Sequence, residues 1–171
     1  MAGAPGLTRL RPLVSEGRFA LSTERLTLRF AGVDDGAARL SLTPAGEIQA
    51  RAPDQQLRPD WLRLDVLLGA QRIGDVGLLF QDDAPTELGY RIEPEHRRRG
   101  YAVEALRALV ALAAGPFAEA ELAAEVAEDN MPSRRTLLAL GFTESGSAGQ
   151  RWSERRRAYI DYRRYTLACA I

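Results

Sequence analysis

Between Thr86 and Ala113 the spacing of apolar residues changes period once, at Gly100. TELGYRI (86 to 92) alternates as a strand does. From Tyr101 onward, Val103, Leu106, Leu109, Val110 and Ala113 recur at three- and four-residue intervals, as on one face of a helix. Glu104 and Arg107 then face out, and Gly115-Pro116 stops the helix. The next apolar run, ELAAEVA (121 to 127), reads as another strand. A helix of this length between two strands favours a parallel pair with a right-handed crossover.

Upstream, RLTLRF (25 to 30) alternates as a strand, and VDDGAARLSL (33 to 42) predicts a short helix with Asp34 or Asp35 near its start. Pro44, Gly46, Pro53 and Pro59 mark 43 to 60 as loop. WLRLDVLLG (61 to 69) and RIGDVGLLF (72 to 80) are strands with a tight link, and QDDAP turns the chain into TELGYRI as an antiparallel meander. Downstream, MPSRRTLLAL (131 to 140) predicts a second helix, capped by Asn130, with Pro132 in its first turn and Gly141 just past its end. A glycine- and serine-rich loop then leads to a last strand over 156 to 168. Residues 1 to 20 read as a partly ordered arm in which LTRLRPL can add an edge strand. This order of elements predicts an α+β domain.

The chain has 171 residues, enough for one well-buried core, and its 23 basic residues balance 23 acidic ones. Net neutrality argues against nucleic acid or an acidic membrane as a general partner, so a basic site has to be local. Every basic residue is arginine, which excludes Schiff-base lysine and P-loop chemistry and leaves planar forks for anions. The one cysteine, Cys169, and the one histidine, His96, leave neither an internal disulfide nor a multi-histidine metal cluster, so no metal is expected. The start lacks an apolar core of secretory length, and no 18-residue apolar run occurs. A reducing, cytoplasmic setting without a membrane partner is the expectation.

The period change coincides with IEPEHRRRGYA (92 to 102). A strand ending at Ile92 and a helix starting near Gly100 leave the backbone amides of about residues 98 to 103 without intrahelical acceptors. Gly100 lets the backbone approach a phosphate, Ala102 keeps the next position small, and the helix dipole adds about 0.3 to 1 kcal/mol. Four or five hydrogen bonds to a charged group, at about 1.5 to 3 kcal/mol each, are enough for micromolar binding. A hydrated basic turn is the plainer alternative. The dinucleotide pattern G-x-G-x-x-G is absent.

Arg97, Gly100 and Ala102 in RRRGYA match the pattern Arg/Gln-x-x-Gly-x-Gly/Ala, and NMPSRRTLLALGF follows about thirty residues later. On these segments the chain, from about Leu26 to Leu167, resembles the GNAT superfamily of acetyl-CoA-dependent N-acetyltransferases. With TERLTLRF at the start, it looks most like the Rim-type branch, which acetylates N-terminal amines of ribosomal proteins. The resemblance implies a mixed, mostly antiparallel central sheet with a splayed parallel strand pair and flanking helices, in a single N-acetyltransferase domain over 21 to 171. It further implies that Arg97, Arg98, Arg99, Gly100, Tyr101 and Ala102 cradle the pyrophosphate of acetyl-CoA. Ile92 would meet the pantetheine arm between the splayed strands, Asn130 would hydrogen-bond it, and Ser133 would sit near the sulfur. Asn130 is also a plain helix cap, and both roles can hold together.

Acetyl transfer needs an uncharged amine. A peptide α-amine, with pKa about 7.7 to 8.0, needs less help from a base than lysine at about 10.4. Glu87 is the candidate base, acting directly or through a water; its alternative is an exposed strand residue beside a hairpin. Where many GNATs carry a proton-donating tyrosine, seven residues after the asparagine, this chain has Leu137. Ser133, or a water it holds, is then the candidate acid; Tyr90 lies on the strand face opposite Glu87. His96 belongs to the phosphate loop, on the wrong side for an incoming amine. Asp82 and Asp83 read as a turn that can also attract a cationic acceptor.

The segment from Arg29 to Trp61 is short for the two helices that usually wall the acceptor site. Either the site is open, which suits a protein N-terminus, or a second subunit of a homodimer completes it. Three rivals stand beside the N-terminal acceptor. One is a small-molecule amine such as a polyamine or aminoglycoside, and another is a non-catalytic acetyl-CoA-binding protein. The third is an RNA-associated protein using RWSERRRAYIDYRRY (151 to 165), whose plainer reading is a C-terminal strand with tyrosines in and arginines out.

Overall fold

The computed structural model describes residues 20–30, 40–42, 48–50, 61–115 and 117–169. Strands β1 (Ala20–Ser22), β2 (Thr27–Phe30), β5 (Trp61–Leu68), β6 (Gln71–Leu79) and β7 (Thr86–Ile92) form an antiparallel run. A 3-10 turn (Pro94–His96) and helix α1 (Tyr101–Ala114) carry the chain to β8 (Glu121–Ala127), which pairs parallel to β7. Helix α2 (Met131–Ala139) then leads to the hairpin β9 (Thr143–Ser153) and β10 (Ala158–Ala168). Among the described residues eight strands make one sheet in the order β1-β2-β5-β6-β7-β8-β10-β9, and β3 (Leu40–Leu42) and β4 (Ile48–Ala50) form a separate hairpin.

Alternation explains the layering. Register places Leu62, Leu78 and Leu88 in one row across the sheet and Leu64, Val76 and Tyr90 in the next; all except the half-buried Tyr90 are buried. This apolar face joins Ala105, Leu106, Leu109, Leu112 and Ala113 of α1 in one cluster, completed by Phe80, Phe117, Leu137, Phe142 and Tyr165. On the other face Asp75 collects Arg63 at 3.0 Å, Arg72 at 2.9 Å and Arg91 at 3.6 Å. Gly74 has no room for a side chain against β7: a Cβ there would lie 2.1 Å from the Arg91 carbonyl oxygen.

Four expectations change. Leu40–Leu42, expected at the end of a helix, is a strand, while 33–39 lies outside the described residues. Ile48–Ala50, expected in a loop, pairs with it, because a two-stranded ladder satisfies backbone groups that a bare loop leaves to solvent. The expected loop after Phe142 is the eleven-residue strand β9. It is mostly exposed at the sheet edge, so no apolar alternation is required of it, and two register shifts against β10 absorb its extra residues. Lastly, Glu104 does not face solvent freely: its side chain is only 15% exposed and is held against the β1–β2 turn. The arm expected over 1 to 20 lies outside the described residues up to Ala20, where β1 begins.

Candidate functional site

β7 and β8 are paired only at Thr86 with Leu122 and Glu87 with Ala123. Beyond that rung each keeps its other neighbour: β7 stays on β6 as far as Ile92, and β8 stays on β10 as far as Ala127. The two strands therefore part, and a gap opens toward their C-terminal ends. Asn130 caps α2 on the far side, its Oδ1 accepting from the Ser133 amide at 3.3 Å.

The turn between β7 and α1 closes the other side. Arg97 Nε donates to the Ile92 carbonyl oxygen at 2.8 Å, tying the turn to the strand end. Arg98 at φ +60° and Gly100 at φ +79° both adopt the left-handed region, which bends the backbone into a tight concave turn. Among the described residues, the amides of 98 to 103 have no backbone acceptor; the first amide to find one is that of Glu104, bonded to the Gly100 carbonyl oxygen at 3.1 Å. This is the unsatisfied donor set that an anion at a helix N-terminus takes up. Tyr101 and Ala102 form the first turn of α1 and are half-buried; Ile92 is buried at its foot.

A cleft of about 380 Å3 brings Arg97 and Asn130 together with Ala127, Tyr162, Ser153 and Arg156. Ser133 is half-buried in the first turn of α2 and is not among the cleft residues. Glu87 is half-buried and shares its sheet face with Leu79 and Ala123. It has no ion-pair partner among the described residues. Tyr90 lies on the α1 side, as alternation requires. His96 is 9% exposed within the 3-10 turn, with Nδ1 lacking a hydrogen-bond partner among the described residues. Leu137 is fully buried in the core, so its position has become a packing site. Asp82 and Asp83 are exposed in the β6–β7 turn.

Three groups near the gap escaped the sequence reading. Glu125, two residues past the last β7–β8 rung on the Glu87 face, has a side chain 8% exposed and takes both Arg151 and Arg164. Arg134 anchors α2: its Nε donates to Tyr165 Oη at 2.8 Å and its Nη1 to the Glu128 carbonyl oxygen at 2.9 Å. Arg25 and Glu104 clasp the turn before α1 from the side. Each joins residues far apart in the chain, with no local pattern to announce it. In 151 to 165, Arg151, Arg156, Arg163 and Arg164 are all paired with acids, Tyr165 is buried, and Tyr159 is 67% exposed.

The family pattern for the acetyltransferase (GNAT) domain matches residues 9–143, and the chain belongs to that family. It is 37% identical over 76 residues to the uncharacterized N-acetyltransferase YoaA of Bacillus subtilis (strain 168), an alignment spanning 43% of each chain. It thus spans less than half the length of that relative. Among solved structures it is similar to Mycobacterium smegmatis RimJ in complex with CoA-disulfide, at 22% identity and TM-score 0.58, over 64% of this chain and 54% of that one. It is also similar to the dodecameric spermidine N-acetyltransferase of Vibrio cholerae, at 20% identity and TM-score 0.58, over 64% of this chain and 65% of that one. At these identities the structural likeness shows the fold alone. Among the described residues no helix is long and apolar enough to cross a membrane.

Proposed function

We propose that this domain transfers the acetyl group of acetyl-CoA to a primary amine, and that the acceptor is a protein or peptide N-terminal α-amine, as in the Rim-type branch. The observation that carries the proposal is the parting of β7 from β8 between two helix N-termini, one of them with its first amides unpaired. Acetyl-CoA supplies a thioester carbonyl. The amides of Arg98 to Ala102 hold its pyrophosphate, and Arg97 braces that turn. The β7 backbone beyond Glu87 that is left unpaired with β8, up to Ile92, and the Asn130 side-chain amide hold the pantetheine arm.

In the transfer, the amine nitrogen forms a bond to the acetyl carbon as the carbon–sulfur bond breaks. Glu87 takes the proton lost by the amine, directly or through a water, and the Ser133 hydroxyl, or a water it holds, supplies the proton that the leaving thiolate takes up. The cleft beside Asn130 favours a peptide over a polyamine or an aminoglycoside. Arg97, Arg155 and Arg156 line it against one acid, Asp129, which is itself paired with Arg156. A polycation gains nothing from such a wall.

Two measurements test this. Acetyl-CoA at a hundredfold excess over its dissociation constant adds about 2.7 kcal/mol of stability. For a domain of this size that is a rise in Tm of roughly 5 to 10 °C, and no rise at saturation would end the proposal. Thiol release should then follow peptides with free N-termini rather than spermidine or aminoglycosides, and fall about 10²- to 10⁴-fold in Glu87→Gln. Turnover confined to spermidine would move the acceptor to the small-molecule class.

A further inference from the structure

Arg25, in the turn between β1 and β2, spreads its donors over the turn proposed to hold the pyrophosphate. Its Nε donates to Glu104 Oε2 at 2.7 Å, and its Nη1 donates to the Arg99 carbonyl oxygen at 3.0 Å. The guanidinium carbon stands 4.6 Å from the centre of the Tyr101 ring, and Nη2 lies 3.3 Å from where a Cβ on Gly100 would be. Glu104, in the first turn of α1, also accepts from the Arg25 amide at 2.8 Å and from the Thr23 hydroxyl at 2.5 Å. Thr23 Oγ1 in turn accepts from the Leu26 amide at 3.0 Å, so the clasp is closed on the β1–β2 side as well.

Two physical consequences follow. A trans peptide is planar, with its carbonyl and amide pointing opposite ways, so fixing the Arg99 carbonyl toward Arg25 fixes the Gly100 N–H toward the other side of the turn. A bare carboxylate in the first helical turn would also compete with a bound anion for the same positive end of the dipole, and Arg25 neutralises it. We infer that Arg25 is a positioning residue for the coenzyme. Latched to Glu104, it sets the 99–100 peptide plane so that the Gly100 amide faces the phosphate site. The inference rests on the coenzyme turn proposed above.

Calorimetry on the full chain with coenzyme A and with pantetheine, which lacks the phosphates, tests it. Arg25→Met should weaken coenzyme A by about 10- to 100-fold, the range for losing a hydrogen bond to a charged group. Pantetheine should stay within about twofold, since it never meets the turn. Arg25→Lys should fall between, having one compact charge in place of a fork. Arg25→Met with Glu104→Gln should be no weaker than Arg25→Met alone, because the two residues act as one unit. Equal weakening of both ligands in Arg25→Met, unchanged coenzyme A affinity, or additive losses in the double variant would each overturn the latch. A wild-type chain that binds coenzyme A no better than pantetheine would instead overturn the phosphate turn itself.

Discussion

Gly100 carries two requirements at one position. Its φ of +79° is a conformation that an L side chain adopts at a cost of about 1 to 2 kcal/mol, and a Cβ there would press on Arg25 Nη2 at 3.3 Å. Gly69, in the β5–β6 turn, shares the left-handed conformation at φ +60° but has nothing within 4 Å of a built Cβ. The pair makes an internal control. Gly69→Ala should lower Tm by roughly 2 to 8 °C and leave coenzyme affinity alone. Gly100→Ala should cost similar stability and also weaken coenzyme A by about tenfold or more, since one misplaced amide forfeits a charged hydrogen bond. Equal coenzyme affinity in the two variants, read by calorimetry, would remove Gly100 from the site.

Among the elements, those with a strong period were legible: β7, α1 and β8 stand where alternation and the three-to-four spacing put them, within a residue or so. β9 was not, because its centre, SGSAGQ, is small and polar with no apolar face, and its pairing comes from the tyrosine-rich β10 beside it. At the site, the turn at Gly100 and the cap at Asn130 were legible because local chemistry makes them; Glu125, Arg134 and Arg25 were not, because their partners arrive from distant strands. Arg134 shows what such a contact does for an element. Tyr165 Oη accepts from Arg134 Nε and donates to Glu144 Oε2 at 3.0 Å, linking α2 to both β9 and β10. Tyr165→Phe removes that bridge while keeping the ring in the core. With Arg134 and Glu144 partly solvated, the loss belongs near the low end for an unmade bond, about 1 kcal/mol. Urea denaturation should show it as a lower midpoint at unchanged slope, and a midpoint equal to wild type would mean that water replaces the hydroxyl without cost.

Across the whole molecule, the Glu104 clasp joins the start of the described sheet to the crossover helix, 79 to 81 residues further along the chain. It therefore links overall stability to pH. Burial alone pushes the Glu104 carboxyl up, but the hydrogen bonds from Thr23 and from the Arg25 amide and guanidinium, with the Arg25 charge, outweigh it and hold the group below its ordinary value of 4.5. The folded protein thus binds the Glu104 proton less readily than the unfolded chain. The stability contributed by the clasp is fully present above the ordinary carboxylate range and disappears as pH falls through the lowered folded value. Glu104→Gln lacks this titration. The difference in Tm between wild type and Glu104→Gln should accordingly be largest near neutrality and shrink steadily as the pH is taken down through the carboxylate range. Added salt should narrow the neutral-pH difference only in part, since the Glu104 side chain is largely covered while Arg25 is not. Melting curves of the two proteins at matched ionic strength decide the matter. A difference in Tm that stays constant with pH would mean that Glu104 acts by packing alone, and one that widens in acid would reverse the sign argued for its carboxylate.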